Sequence, residues 1–299
     1  MEKRKGPRNY GFLEKFSYYI PGVADMFILL ALMLAGALLG SLVSLPLLAI
    51  LGQEAGMEYS MLISYPLMFI PPMLYSSIKS RNNSYTRSGL LLDSAHFSPT
   101  GGLLCAIYVI LATLAAAFCS DAILALMPEM PAFLEEMLKG LTAEGNFFLN
   151  FLMVSIFAPF FEEWLCRGMI LRGLLGNKVR PAWAIVISAI FFAVIHLNPW
   201  QAIPAFLLGC LFGYVYFKTG SLKLTMLMHF TNNTFSLVMS RVDAFQDVES
   251  WMEVLPGMRY WIVFFACILM LTLIILAFRR IPLEQPAGNM DPVKPLFEE

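Results

Sequence analysis

Three features of the sequence predict an all-α polytopic membrane protein, a bundle of about eight transmembrane helices with both termini on the cytoplasmic side. First, 59% of its 299 residues are hydrophobic and the mean hydropathy is +0.70. Second, only 14% are charged, against about 25% in a soluble domain. Third, the apolar residues fall into runs near the roughly 20 residues that a helical span requires. The net charge of −1 hides a strong asymmetry along the chain.

Residues 1–21 are polar and basic, with Lys3, Arg4, Lys5, Arg8 and Lys15, and read as a cytoplasmic N-terminal segment. The first apolar run, Met26–Leu51, is too long for a signal-peptide core and has no convincing cleavage site, so it reads as a retained span, with Asp25 capping its start. The second, Met61–Ile78, contains Pro66, Pro71 and Pro72, which should kink it. A polar loop follows, then a span over Gly101–Leu126 and an acidic connection, Met127–Gly145, part of which reads as an interfacial helix. The fourth run starts at Asn146, is long enough to overshoot the bilayer, and ends at Gly176-Asn177. Further spans are predicted over Ala182–Leu197, Ala202–Phe217, Leu222–Ser240 and Tyr260–Phe278. Gly209 and Gly213, four apart, mark close helix packing. Residues 22–281 thus form one transmembrane domain, and residues 282–299 read as a disordered cytoplasmic tail. The five cysteines, Cys105, Cys119, Cys166, Cys210 and Cys267, lie in apolar runs without ligand-like spacing and read as packed thiols.

Placing the N-terminus in the cytoplasm puts all but Lys139, Arg241 and Arg259 of the 20 Lys and Arg residues on the cytoplasmic side. The opposite loops carry Glu54, Glu58, Glu129, Glu135, Glu136, Glu144, Asp243, Asp247, Glu249 and Glu253. The positive-inside rule is well obeyed. An error of one in the helix count would break the pattern.

The fourth run is the unusual one. It carries Glu162, Glu163 and Arg167 near its middle, where each charge costs about 2.5–3.5 kcal/mol, so such residues usually face a bundle interior or a wet cavity. Two later spans carry Phe192-x-x-x-His196 and His229-x-x-x-Asn233. The chain has only 3 histidines, and the third, His96, reads as a solvated loop residue.

Residues four apart share a helix face, so Glu163 can pair with Arg167, and His229 and Asn233 can point into one cavity. Adjacent residues differ by about 100° around the axis, so Glu162 and Glu163 cannot do the same job. The Arg-paired carboxylate reads as structural and the other as free for chemistry. At about 1.5 Å per residue, Glu162, His196 and Asn233 lie roughly 17–21 Å from the basic ends of their helices, and His229 roughly 11 Å. These groups can converge partway into the membrane. Whether Asn232 or Asn233 faces them stays open.

The motifs EEWLCRG, FFAVIH and MLMHFTNN, in that order, resemble the CPBP family, which comprises CAAX proteases and bacteriocin-processing (Abi) enzymes, the type II CAAX prenyl endopeptidases among them. The resemblance covers about residues 146–240. Cys166 departs from it, standing where the family more often has an aromatic residue. The resemblance implies an intramembrane endopeptidase acting on membrane-associated protein or peptide substrates, with a cavity open to the cytoplasm and no role for nucleic acid. It implies a multi-pass protein, here expected in a bacterial cytoplasmic membrane and in contact with the lipid bilayer. By position, Glu162 with His196 corresponds to the pair that activates water, His229 with Asn233 to the oxyanion-stabilising pair, and Glu163 with Arg167 to the orienting pair, with Phe192 beside them.

Two readings compete with a mechanism that requires no cofactor. Glu162, His196 and His229 would also supply the ligand set of a catalytic zinc site, although no H-E-x-x-H is present. A non-catalytic membrane scaffold or bacteriocin-immunity protein would keep the same residues as structure.

Overall fold

The computed structural model describes residues 11–85, 89–143, 145–245, 248, 250–283 and 292–293. Lys3, Arg4, Lys5, Arg8, Arg87, Glu144, Asp247, Glu249 and Lys294, and most of the tail, lie outside the described residues.

After a single turn at Gly11–Glu14, the chain forms α1 (Val23–Leu51) and α2 (Gln53–Asn83). Next come α3 (Gly102–Leu124), the short α4 (Ala132–Thr142) and α5 (Phe147–Gly176), then α6 (Pro181–Val194), α7 (Pro199–Thr219) and α8 (Leu222–Met239). The one-turn α9 (Trp251–Val254) and the long α10 (Met258–Arg279) complete the bundle. Gly89–Leu90 pairs antiparallel with Pro292–Val293.

Among the described residues 6 helices are long and apolar enough to cross a membrane: α1, α2, α3, α5, α7 and α10. The two remaining bundle helices carry the histidine motifs. Helix α6 is apolar but spans 14 residues, about 21 Å, against a hydrocarbon core of about 30 Å. Helix α8 has 18 residues and includes Lys223, His229, Asn232 and Asn233.

Several boundaries differ from expectation for local reasons. Asp25 does not precede α1 but sits in its first turn, where its carboxylate accepts from Gly22 N at 2.8 Å. The turn between α1 and α2 is a single residue, Gly52 at φ 81, so Gly56 lies inside α2 rather than in a loop. This tight hairpin brings Gly36 against the Met68 backbone and Gly40 against Ser64. Pro66, Pro71 and Pro72 all lie within the continuous α2. Helix α6 ends earlier than the sequence suggests, so His196 lies in the turn beyond it.

The bundle has two chemically distinct ends. At one end gather Lys79, Arg81, Lys178, Arg180, Lys218 and Arg280. There the fully buried Arg172 donates to the carbonyls of Gly168 (2.6 Å), Leu90 (2.9 Å) and Tyr19 (2.6 Å), tying α5 to the N-terminal segment and the α2–α3 loop. Asp93 from that loop caps α8 by accepting from Leu222 N at 2.9 Å. At the acidic end, Glu58 accepts from Asn146 N at 2.6 Å. Asp121, at the end of α3, accepts from Ser250 Oγ (2.9 Å), Trp251 N (3.2 Å) and Tyr260 Oη (3.2 Å).

The apolar core divides in the same way. One cluster joins Phe16, Tyr19, Leu92, Trp164, Leu165 and Met169 with residues of α1 and α6. A second joins α3, α7, α8 and α10 through Cys105, Val109, Phe212, Met228 and Phe278. The first cluster fills the basic half of the bundle around α5.

Candidate active site

Helix α5 is not uniformly wound. Phe151–Phe157 and Trp164–Leu171 are π-helical. Their wider winding shows in Ala158 N donating to Met153 O and Arg172 N donating to Arg167 O, each five residues back. Such segments concentrate at functional sites. Here one has an identifiable consequence. Pro159 has no N–H, so in this register the Val154 carbonyl loses its backbone donor. Asn233 Nδ2 of α8 donates to that carbonyl at 2.8 Å. The proline thereby creates an acceptor that pins Asn233.

Between the two π segments, Ala158–Glu163 returns to α geometry and presents the two glutamates on different faces. Glu163 is fully buried. Its Oε1 accepts from Arg167 Nη1 at 2.7 Å and from His229 Nδ1 at 3.1 Å. Arg167, also fully buried, donates through Nη2 to Gly209 O at 3.1 Å, and its guanidinium lies 4.6 Å from the Phe192 ring centroid and 5.3 Å from that of Phe212. The absent side chain of Gly209 lets α7 pack closely on α6, since a Cβ there would meet Ala189 and Phe192. The charge is thus held by a carboxylate, a carbonyl and two ring faces.

Glu162 points the other way, into a cavity of about 1320 Å³ lined also by Phe192, His196, His229, Asn232 and Asn233. Its Oε1 accepts a short hydrogen bond from the Tyr65 hydroxyl of α2. Its Oε2 lies 4.0 Å from His229 Nε2 and has no hydrogen-bond partner among the described residues.

The two histidines are oriented by their Nδ1 atoms. His229 bridges the carboxylates, with Nδ1 on Glu163 and Nε2 toward Glu162. A carboxylate paired with arginine only accepts, so the network assigns the Nδ1 proton of His229 to the Glu163 side. His196 Nδ1 pairs at 2.7 Å with Phe192 O, one of the carbonyls left free at the end of α6. A carbonyl can only accept, which leaves the His196 Nε2 lone pair available in the neutral ring. Asn198, the cap of α7, also donates to His196 O at 3.0 Å. The Phe192 ring meets both histidines edge-on, at 5.1 Å from His196 and 5.4 Å from His229.

The structure therefore brings Glu162, Glu163, Arg167, Phe192 and His229 into one contact cluster and joins His196 to it through Phe192. Asn233 lines the same cavity but bonds to Val154 rather than to the cluster. Asn232 is not turned away: its Nδ2 donates to Asn233 Oδ1 at 3.2 Å, and both asparagines line the cavity. Sequence reasoning missed Tyr65, whose hydroxyl is one of several in a proline-rich helix and carries no distinguishing pattern. It also missed the bond between His229 and Glu163, two residues on different helices with no local pattern linking them.

A zinc site would need Glu162, His196 and His229 gathered as ligands. Among the described residues no three His, Cys, Asp or Glu side chains come together as a set that could hold a metal ion. The chamber extends from the middle of the bundle toward the acidic connectors, while the cluster around Trp164 and Leu165 fills the basic half.

Residues 144–235 match the family model described as type II CAAX prenyl endopeptidase Rce1-like. No curated protein and no solved structure matches the chain. The matched segment contains Glu162, Glu163, Arg167, Phe192, His196, His229 and Asn233 but not Tyr65, which comes from α2. Over residues 144–235 this multi-pass membrane chain is therefore similar to the CAAX protease (CPBP) family, which supports a membrane-embedded hydrolase.

Proposed function

We propose that the chain is an intramembrane endopeptidase that hydrolyses membrane-associated protein or peptide substrates with a water activated by Glu162 and His196. The observation that carries this reading is the division between the two glutamates. Glu163 is consumed by Arg167 and His229, while Glu162 presents Oε2 to a large cavity beside His229 Nε2.

Peptide hydrolysis needs a base for water, donors for the oxyanion and an acid for the leaving amine. In this reading, a water held between Glu162 Oε2 and His196 Nε2 loses a proton to Glu162 as its oxygen bonds to the scissile carbonyl carbon. The carbonyl oxygen becomes an oxyanion facing His229 and the second amide N–H of Asn233. His229 serves as a donor only when Nε2 is protonated. As the C–N bond breaks, Glu162 returns its proton to the amine. Glu163 and Arg167 orient the His229 ring, and Phe192 spaces the two histidines. The topology that accompanies this reading has α6 and α8 completing eight spans, with both termini in the cytoplasm.

The test is comparative membrane proteomics of cells carrying the parent or Glu162→Gln. New C-termini present only with the parent are expected, and identical peptide populations would refute the reading. Activity of the purified protein is expected to persist after exhaustive treatment with a membrane-permeant chelator. Stoichiometric zinc, with activity lost on chelation and restored by zinc alone, would instead make His196 and His229 ligands.

A further inference from the structure

We infer that Pro159 is a positioning residue for catalysis: by leaving the Val154 carbonyl without a backbone donor, it fixes which way the amide of Asn233 is turned. The oxyanion comes from the endopeptidase reading, on which this inference rests, and the turn of the amide stands on separate observations.

An asparagine side chain ends in a torsion with two broad wells, so its amide turns over unless its partners choose for it. One orientation offers a developing oxyanion an N–H donor, and the other offers an oxygen lone pair. Two contacts make the choice here. The carbonyl of Val154 only accepts, so the Asn233 atom 2.8 Å from it is the nitrogen. The Asn233 oxygen then lies at the other contact, 3.2 Å from Asn232, which must meet it with its own nitrogen. One backbone carbonyl thus sets both side chains. One N–H of Asn233 Nδ2 is spent on Val154, and the second remains for the cavity that both asparagines line.

That carbonyl is available because two features of α5 act together. In the π-helical stretch Phe151–Phe157, Ala158 N reaches back to Met153 O. The next N–H in that register would belong to residue 159 and would close on Val154 O. Residue 159 is a buried proline and has no N–H to give. Membrane helices can answer such a carbonyl with a serine or threonine hydroxyl. Ser155 adjoins Val154 and is fully buried, yet its hydroxyl has no hydrogen-bond partner among the described residues. The acceptor is left to α8. Helix α5 therefore holds both residues that the endopeptidase reading assigns to the oxyanion, His229 through the Glu163 carboxylate and Asn233 through this carbonyl.

The proline differs in this from one that merely bends a helix. A bend would act on the backbone of α5 and would be felt whatever stands at position 233. A carbonyl kept free for Asn233 matters only while Asn233 is there to take it.

A double-mutant cycle on the full-length chain separates the two. Pro159→Ala returns an N–H to position 159, where it competes with Asn233 for Val154 O. In thermal unfolding in detergent, Asn233→Ala should lower the midpoint, because it strands that carbonyl. Pro159→Ala should not lower it, and adding Pro159→Ala to Asn233→Ala should restore it. For kinetics the probe is an internally quenched peptide spanning a bond that the parent cleaves and Glu162→Gln does not. Pro159→Ala should lower kcat toward the roughly 10²–10³-fold that losing one oxyanion donor costs, with KM near the parent value. In the Asn233→Ala background it should cost nothing further. Additive losses of stability, an unchanged kcat, or an equal loss of kcat in both backgrounds would each overturn the inference. Pro159→Gly carries the same N–H should Pro159→Ala fail to accumulate. If no bond is cleaved in a Glu162-dependent way, the endopeptidase reading fails, and the unfolding cycle still decides how Asn233 is held.

Discussion

Arg167→Ala is expected to destabilise the folded bundle by about 3–5 kcal/mol, the usual cost of leaving one member of a buried ion pair without its partner. The guanidinium and the Glu163 carboxylate are both fully buried and 2.7 Å apart. Removing the cation leaves Glu163 with only the His229 ring and strands the Gly209 carbonyl. It also takes the charge from the faces of Phe192 and Phe212. Glu163→Gln should follow in the same direction with a smaller loss, since the amide oxygen can still accept from Arg167. Replacing both residues by methionine should recover part of the stability, because an apolar pair of similar volume is often tolerated where a broken ion pair is not. Thermal unfolding in detergent reads these differences. Equal stability of Arg167→Ala and Glu162→Gln would refute the division of labour between the glutamates.

Glu162→Gln is expected to keep the parent's stability and to lose activity by about 10²–10⁴-fold, the range that a positioned general base contributes. The amide can still accept from Tyr65 and occupies the same volume, so the fold has little to lose. Tyr65→Phe separates positioning from chemistry. The hydroxyl holds Oε1 and leaves Oε2 toward His229 and the cavity. Without it the carboxylate can rotate, so kcat should fall while KM stays near the parent value. A rise in KM with kcat unchanged would place Tyr65 in substrate binding instead, and no change in either would remove it from the site.

The membrane class was legible in the sequence because burial in lipid is read from composition. A helix that contacts hydrocarbon must be apolar over its length, whatever its neighbours are. The two ends of the bundle were legible for a similar reason, since the sorting of Lys and Arg between connections does not depend on packing. The pairing of Glu163 with Arg167 was legible because four residues along one helix is a local distance. Even the separation of Glu162 from Glu163 needed only the angle between adjacent side chains.

Other features depend on contacts between segments distant in sequence, and these only the tertiary structure decided. His229 meets Glu163 because α8 packs against the middle of α5, and no spacing rule connects the two residues. Asn233 finds its partner because the π winding at Phe151–Phe157 and the missing N–H of Pro159 together leave Val154 O in need of a donor. That depends on a local winding which hydrophobic periodicity does not reveal. Tyr65 enters the site from outside the segment that carries the motifs, brought there by the one-residue turn at Gly52 and the close packing of α1 on α2. The position of the cavity is the furthest from the sequence. It is set by how the two halves of the bundle pack. Arg172 and Asp93 draw the N-terminal segment and the α2–α3 loop over the basic half and close it. The short α6 and the connectors at the acidic end leave the other half hollow.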